Sequence, residues 1–344
     1  IAGQFAKPRT LQFESHNNKS LPSYRGDAVN DIKYNLEDRT PNPNRMIKAY
    51  HQSAATLNLL RGFTSGGFAD LSSIKHWNEK FIENSDSHEK YDDIVKKINE
   101  SVKFFETIGG NNLYLNDPFK MAEFFTSHEA LLLDYESALS RQDLLTKKWY
   151  CFSGHFLWVG NRTRALDGAH IEFLRGISNP IGIKISSTMQ PDELANICKI
   201  LNPKNEKGKI TLITRMGVND IHRYLPPLIK KIVDSHLNVL WMCDPMHGNT
   251  YKLKSGYKTR DFETISKEVQ YFFDIHKGLS TIPGGIHLEF TGEHVTECLG
   301  GADNIIDNNI NEQYDTACDP RLNVNQSLEL AYRITKLLIK NKEY

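Results

Sequence analysis

The second half of the sequence predicts an α/β fold built on a parallel sheet. From residue 156 onward, short apolar segments of strand length recur at regular intervals. Stretches of roughly 10–15 residues with apolar side chains on one helical face separate them. Strands that alternate with such helices are typical of βαβ units, in which neighbouring strands run in the same direction.

The apolar pattern predicts each element in turn. The expected strands are residues 156–159, 181–185, 210–213, 239–242 and 286–290. The expected helices are residues 168–177, 191–201, 221–233, 265–275 and 327–339. Residues 31–150 are predicted to be a mostly helical insertion, because apolar residues share a face in 47–57 and 91–105, with glycine pairs between these segments.

Nearly every predicted strand ends in one or two charged or amide side chains. These residues are Asn161 with Arg162, Lys184, Arg215, Asp244 with His247, Glu289, and Asp319 with Arg321. Charges at successive strand ends converge on one point only if the strands close into a ring, as in a (β/α)8 (TIM) barrel. Helix capping is the alternative, and it accounts for only one or two of them. We therefore predict that residues 1–344 form a single barrel domain that carries the insertion.

The composition argues against a nucleic-acid-binding protein, a membrane-spanning protein and a disulfide-rich protein. The 42 Lys and Arg residues balance 42 Asp and Glu residues, so we expect no broad basic surface for nucleic acid or an acidic membrane. No segment approaches the ~18 consecutive apolar residues of a membrane span. The five cysteines form no CxxC pair, which is typical of reduced thiols in a cytoplasmic protein rather than a disulfide scaffold.

Four of the strand-end and N-terminal side chains are cations. Arg9, Arg162, Lys184 and Arg215 would surround one cavity of the predicted barrel. Burying four positive charges is unfavourable unless anions offset the desolvation. Arginine forks suit phosphate and carboxylate, and lysine adds a point charge. The sequence therefore predicts a small substrate with several negative charges, such as a phosphorylated acid.

His247, Glu289 and Asp319 form a second group at three successive strand ends. An imidazole and two carboxylates are ligands that divalent metals accept. The same residue types also fit a general base with an orienting carboxylate. Spacing alone leaves both interpretations open.

Long stretches of the chain match the motifs of one enzyme family. They are GNRTRALDGAH (160–170), NPIGIKI (179–185), RMG (215–217), CDPMHGNT (243–250), PGGIHLEFTGEHVTECLGG (283–301) and YDTACDPRLN (314–323). These segments resemble type II 3-deoxy-D-arabino-heptulosonate 7-phosphate (DAHP) synthases. The upstream segments IAGQFAKPR, LPSYRGD and SHEALLLDYE resemble the same family, so the likeness covers essentially the whole chain.

The resemblance implies an enzyme that condenses phosphoenolpyruvate with erythrose 4-phosphate and releases phosphate. This reaction opens the shikimate pathway to chorismate and the aromatic amino acids. The implied cofactor is Mn²⁺ or Co²⁺, and the implied partners are further copies of the chain and, as a candidate, chorismate mutase. In a plant the location would be the plastid. The alternatives are another phosphoenolpyruvate-condensing or aldol barrel, and a catalytically silent regulatory partner.

The resemblance also assigns roles to individual residues. Substrate binding falls to Lys7, Arg9, Asn161, Arg162, Lys184 and Arg215. The last four correspond to the phosphoenolpyruvate site, Arg9 lies between the two substrate phosphates, and Lys7 reaches the aldose. Lys184, Arg162 and His247 are the residues expected to take part in catalysis.

The implied metal ligands are His247, Glu289 and Asp319. The family's fourth ligand is a cysteine at the end of the first barrel strand, and no cysteine of this sequence occupies its place. We therefore expect the first strand and most of the second to precede Ile1, within roughly a hundred further residues. The family usually has Glu where this chain has Asn161, a change that is tolerated if the backbone N–H contacts the substrate.

Overall fold

The computed structural model describes residues 6–9, 11–16, 18–68, 96, 100 and 123–342. The strands are β1 (Phe13–His16), β2 (Lys19–Pro22), β3 (Ser127–Glu129), β4 (Ser140–Gln142), β5 (Trp149–Cys151), β6 (Phe156–Val159), β7 (Ile181–Ile185), β8 (Ile210–Thr214), β9 (Leu240–Cys243), β10 (Tyr251–Lys252), β11 (Lys258–Thr259) and β12 (Pro283–Ile286). The α-helices are α1 (Leu36–Arg39), α2 (Asn44–Ser65), α3 (Leu133–Ala138), α4 (Ala169–Arg175), α5 (Pro191–Leu201), α6 (Ile221–Asp234), α7 (Phe262–Gly278) and α8 (Val324–Lys342).

A six-stranded parallel sheet forms the centre of the molecule. Its strand order is β12-β9-β8-β7-β6-β3, and every neighbouring pair is parallel. Beyond β12, Phe290 forms an isolated parallel bridge with Leu322, just before α8. The mixed α/β architecture predicted from the sequence is therefore confirmed, with a sheet of the type found in α/β barrels.

The sheet is buried on both faces. Ile181, Ile183 and Ile185 of β7 are fully buried, as expected for a strand covered on both sides. They belong to the same apolar cluster as the buried side chains of α5, α6 and α7. Gly182 lies on the opposite face, where an added Cβ would stand 2.8 Å from Phe156 and Trp158. That face accordingly has no room for a side chain at position 182.

The strand expected at residues 286–290 lies earlier in the chain, which corrects the sequence prediction. β12 ends at Ile286, and His287 donates its backbone N–H to Cys243 O at 2.7 Å. Gly284 is packed so tightly that an added Cβ would lie 2.4 Å from Leu240. The apolar pattern misplaced the strand because two of its four residues are glycines, which leave no hydrophobic signal.

The part of residues 31–150 that the structure describes contains short strands as well as helices. α1 and α2 are helical, but residues 127–129 form the edge strand β3 of the central sheet, and β4 pairs with β5 as an antiparallel hairpin. Three-residue strands are too short to give a clear alternating pattern. The helix face predicted at 91–105 lies outside the described residues, and the insertion as a whole stays a prediction.

Two further sequence features can be placed in the described chain. All five cysteines are buried thiols. Among the helices of the described ranges, none combines the length and apolar character needed to cross a bilayer.

Candidate active site

Two residues of the predicted site, Arg215 and Asp244, come immediately after neighbouring parallel strands, β8 and β9. The backbone N–H of Arg215 donates to Ile185 O at 2.8 Å, and that of Asp244 donates to Thr214 O at 2.6 Å. Each residue therefore continues the parallel ladder by one step beyond its strand. Because the strands are parallel, these ends meet at one edge of the sheet, and their side chains are held on rigid backbone.

His247, Glu289 and Asp319 are brought together from three separate segments. His247 follows β9, Glu289 follows β12, and Asp319 lies three residues before Leu322, which forms the bridge with Phe290. Their ligand atoms all lie within 4.8 Å of one another. His247 Nε2 lies 3.4 Å from Glu289 Oε1, and Lys7 Nζ lies 3.0 Å from Asp319 Oδ2 and 3.8 Å from Glu289 Oε1. One ring nitrogen and two carboxylates within this radius fit a divalent ion with nitrogen and oxygen ligands. The ammonium of Lys7 stands beside the two acidic members.

Asp244 connects this group to the cationic side of the site. Its fully buried carboxylate accepts a hydrogen bond from Lys184 Nζ and one from His247 Nδ1 at 2.7 Å. It also accepts the backbone N–H of Met246 at 3.1 Å. Nε2 of His247 faces Glu289, and in the neutral tautomer with the proton on Nδ1 it would offer its lone pair to a metal. Sequence reasoning noted Asp244 at a strand end and gave it no role.

The charges of the site set its protonation states. Burial would raise the pKa of Asp244, but the opposing charges of His247 and Lys184 hold it well below its usual value. Burial likewise would raise the pKa of Glu289, yet His247, Arg260 and Lys7 hold it far below its ordinary range. Both carboxylates are therefore ionised and able to accept cations.

The predicted phosphoenolpyruvate residues line the same edge. Lys184 is buried, with Nζ 5.5 Å from the centre of the Trp158 ring. Within the described chain, Arg215 Nε is buried without a hydrogen-bond partner. Arg162 is exposed, and its Nη1 donates to Pro8 O at 3.3 Å, which joins it to the Lys7–Arg9 segment. A buried guanidinium nitrogen without a partner is the feature expected of a site that receives an anion.

Asn161 and Arg9 are held by neighbouring side chains and backbone. Asn161 Oδ1 accepts hydrogen bonds from Arg164 Nε at 3.2 Å and Ser186 Oγ at 3.0 Å. Arg9 Nε donates to Tyr24 O at 2.6 Å. The side-chain oxygen of Asn161 is thus engaged within the protein, which agrees with a substrate contact made through the backbone.

Glu129, at the end of β3, is a site residue that sequence reasoning did not single out. Its Oε1 is buried and has no hydrogen-bond partner among the described residues. Burial raises its pKa, against the opposing charges of Lys184 and Lys7. Gly160 makes room for this carboxylate, since an added Cβ would lie 2.1 Å from Glu129 Oε1. An unpartnered buried carboxyl group beside two cations is suited to hold a water molecule or a proton.

Arg260 is a second residue that the sequence gave no reason to select. Its fully buried guanidinium donates from Nη1 to Glu289 Oε2 at 2.6 Å and to Pro320 O, and from Nε to Thr250 Oγ1 at 2.8 Å. It therefore fixes the orientation of Glu289 and the backbone next to Asp319. Arg321, by contrast, pairs with buried Glu297 and belongs to the support of this segment.

We expect Gly248→Ala to destabilise the fold and impair the site. An added Cβ would lie 2.4 Å from Gly217 N and 2.8 Å from Gly217 Cα, which are backbone atoms that cannot rotate away. The cost should be about 1–3 kcal/mol of unfolding free energy. Chemical denaturation measures this loss of stability. Gly278→Ala is the control, because an added Cβ at Gly278 meets nothing within 4 Å and Gly278, unlike Gly256, has no positive φ. Equal stability of Gly248→Ala and wild type would contradict this packing.

Comparison with known proteins agrees with this geometry. Residues 1–335 match the class-II DAHP synthetase family. A Streptomyces coelicolor protein named phospho-2-dehydro-3-deoxyheptonate aldolase is 47% identical over 339 residues, which cover 98% of this chain and 74% of the relative. The Mycolicibacterium smegmatis protein named phospho-2-dehydro-3-deoxyheptonate aldolase AroG is 45% identical over 343 residues, covering 98% of this chain and 72% of the relative. A match over nearly the whole chain at this identity establishes kinship, and the chain belongs to the class-II DAHP synthetase family.

Proposed function

We propose that this protein condenses phosphoenolpyruvate with D-erythrose 4-phosphate to give DAHP and inorganic phosphate, the entry step of the shikimate pathway. Its family and its relatives support the reaction. The observation that carries the proposal is the chain of contacts from Lys184 through Asp244 and His247 to Glu289. It joins an anion-binding side to a metal-binding side at one sheet edge.

Phosphoenolpyruvate is assigned to Arg162, Lys184, Arg215 and the backbone of Asn161. The unpartnered Nε of Arg215 is suited to bind a phosphate or carboxylate oxygen, and Arg162 follows β6 with an exposed side chain. Lys184 donates a hydrogen bond to Asp244, which fixes the position of its ammonium charge in the proposed phosphoenolpyruvate site. Arg9 and Lys7 reach the site from the other side, where the aldose is assigned.

His247 Nε2, Glu289 and Asp319 are the residues that would hold a divalent ion, Mn²⁺ or Co²⁺ in our proposal. When bound, such an ion supplies Lewis-acid polarisation of the aldehyde oxygen. Asp244 and Arg260 keep His247 and Glu289 in the orientation this role needs. Metal dependence is part of the proposal.

In the proposed reaction, one carbon–carbon bond forms and one carbon–oxygen bond to phosphate breaks. C3 of phosphoenolpyruvate bonds to the aldehyde carbon, and the aldehyde oxygen takes up a proton and becomes a hydroxyl. Positive charge then develops at C2, and water adds there with loss of one proton. The C2–O bond to phosphate breaks as the new hydroxyl becomes the C2 ketone, and its proton leaves with the phosphate. The arginines hold the phosphate in preformed geometry, and the cation cluster holds C3 against its target. Glu129, with its free buried oxygen and raised pKa, is suited to position the water or take its proton.

We also propose that the sheet closes into a (β/α)8 barrel. Two observations support closure. The Phe290–Leu322 bridge continues the sheet past β12, and Lys7, near the start of the chain, contacts Asp319, near its end. An N-terminal cysteine as the fourth metal ligand, self-association and docking of chorismate mutase stay predictions.

Arg215→Ala is expected to raise the KM for phosphoenolpyruvate while the protein stays folded. The loss should be about 2–4 kcal/mol of transition-state binding, because a buried charged contact disappears. Its Nε makes no hydrogen bond in the described structure, so little packing is lost. Steady-state kinetics measures the effect, with Arg223→Ala on α6 as the control, an exposed arginine stacked on Tyr224. Unchanged kinetics would remove Arg215 from the site.

The experiment that tests the function is product analysis with alternative acceptors. Purified protein, phosphoenolpyruvate and Mn²⁺ are incubated with erythrose 4-phosphate or with arabinose 5-phosphate. DAHP from the four-carbon acceptor alone supports the proposal. Turnover of only the five-carbon acceptor would indicate a different sugar-acid phosphate synthase, and no turnover of either would indicate a silent partner.

A further inference from the structure

Two loops carry the two halves of the site. The Arg215 loop (residues 215–218) follows β8 and holds the proposed phosphoenolpyruvate arginine. The His247 loop (residues 244–250) follows β9 and holds the proposed metal histidine. Neighbouring strand ends bring both loops to the same edge, but parallel pairing alone fixes only their first residues.

Glu268 of α7 connects these loops from outside the site. Its side chain is fully buried. Oε1 accepts the backbone N–H of Gly217 at 3.0 Å, and Oε2 accepts from Asn249 Nδ2 at 2.5 Å. One carboxylate is therefore shared between the Arg215 loop and the His247 loop.

Asn249 completes the connection. Its Oδ1 accepts the backbone N–H of Val218 at 3.0 Å, while Nδ2 also donates to Pro245 O at 2.8 Å. Each polar atom of this amide thus has a defined partner, which sets its orientation. The two loops are joined at both Gly217 and Val218.

The backbones of the loops also touch. Gly217 has φ +91°, and an added Cβ there would lie 2.9 Å from Gly248 O. This close approach leaves the Gly217 N–H facing Glu268. Burial raises the pKa of Glu268 to about 7, so an ionised carboxylate here is unfavourable on solvation grounds. The hydrogen bonds that it accepts from Gly217 and Asn249 favour the ionised form and offset part of this cost.

We propose that Glu268 is a positioning residue that fixes Arg215 and His247 relative to each other, so that the phosphoenolpyruvate pocket and the metal group form one unit. It contacts neither ligand and acts through Gly217 and Asn249. This inference rests on the proposed roles of Arg215 and His247.

The change Glu268→Gln would preserve the size of the side chain but disrupt one of its two hydrogen bonds to the loops. One of its two polar atoms is an NH₂ group, so either Gly217 N–H or Asn249 Nδ2 would face a donor. If Asn249 turned over to accept from that group, its own NH₂ would face the Val218 N–H and leave Pro245 O unpaired. A carboxylate is the group that satisfies both loops at once.

The test measures binding of phosphoenolpyruvate and, separately, of Mn²⁺ by isothermal titration calorimetry. Glu268→Gln is expected to weaken the binding of phosphoenolpyruvate and the binding of Mn²⁺, each by roughly 10- to 100-fold. This is the typical effect of replacing a residue that orients a ligand-binding side chain. Asn249→Ala should show the same double loss, and combining the two changes should add little to either, because they remove the same connection. The KM for phosphoenolpyruvate should rise in parallel.

Glu263→Gln is the matched control, since Glu263 lies on the same helix and pairs with Arg333 of α8. It should bind both ligands as wild type does. Wild-type dissociation constants in folded Glu268→Gln, even with a lower melting temperature, would overturn the inference and reduce Glu268 to a structural role. If Glu268→Gln does not fold, unchanged binding in Asn249→Ala overturns it equally. A wild type that binds neither ligand would contradict the proposed function itself, and this inference with it.

Discussion

Asp319→Ala is expected to abolish the condensation while the protein remains folded. Its carboxylate is one of three ligands in the proposed metal group, and its partners Lys7 and Lys258 are both partly exposed. The fold therefore loses little, whereas the site loses one of the three ligands proposed for the divalent ion. We expect kcat/KM to fall by about a thousandfold or more. The measurement is turnover at saturating Mn²⁺, together with Mn²⁺ affinity.

Asp315→Ala is the control for this change, because Asp315 lies four residues away in the same segment and is exposed. It should retain activity. Chelator should silence the wild type, and added Mn²⁺ should restore it. Activity of Asp319→Ala near the wild-type level, or chelator-resistant wild-type turnover, would be incompatible with a metal at this group.

Asp244→Asn should have the second large effect, on stability as well as activity. The change removes the negative charge beside the buried ammonium of Lys184. It also replaces one of the two acceptor oxygens by an NH₂ donor, which weakens the hydrogen bonding that orients His247. Breaking a buried ion pair by removing one partner costs about 3–5 kcal/mol. Urea denaturation would show this loss, and both phosphoenolpyruvate and Mn²⁺ binding should weaken.

The double variant Asp244→Asn with Lys184→Met separates the two effects. Neutralising both partners removes the stranded charge, so stability should recover in large part. Activity should not recover, because Lys184 is assigned to phosphoenolpyruvate. A single variant as stable as the wild type would show that Lys184 and Asp244 are not paired in the folded protein.

The central sheet could be predicted from sequence because its signal is local. β6, β7, β8 and β9 are apolar runs followed by a polar strand-end residue, and a parallel sheet then dictates that these ends meet. For this reason the sequence also led to the grouping of His247, Glu289 and Asp319.

The supporting residues were not visible because their partners are distant in sequence. Lys184 and Asp244 are 60 residues apart, and Gly217 and Glu268 are 51 apart. Glu268 falls on the apolar face of its helix, three residues after Ile265 and four before Phe272, but the sequence does not indicate which groups its carboxylate contacts. β3 was missed for a different reason, since three residues that read Ser127-His128-Glu129 carry no apolar run.

A crystal structure with Mn²⁺ and phosphoenolpyruvate would test most directly whether the proposed metal ligands and the proposed phosphoenolpyruvate residues bind these ligands. Anomalous diffraction would locate the manganese. We expect an anomalous peak bound by His247 Nε2, Glu289 and Asp319, with Lys7 displaced from the two carboxylates. Phosphoenolpyruvate should lie against Lys184, Arg162 and Arg215. Manganese at any other group of ligands, or phosphoenolpyruvate bound away from Arg215 and Lys184, would contradict these assignments.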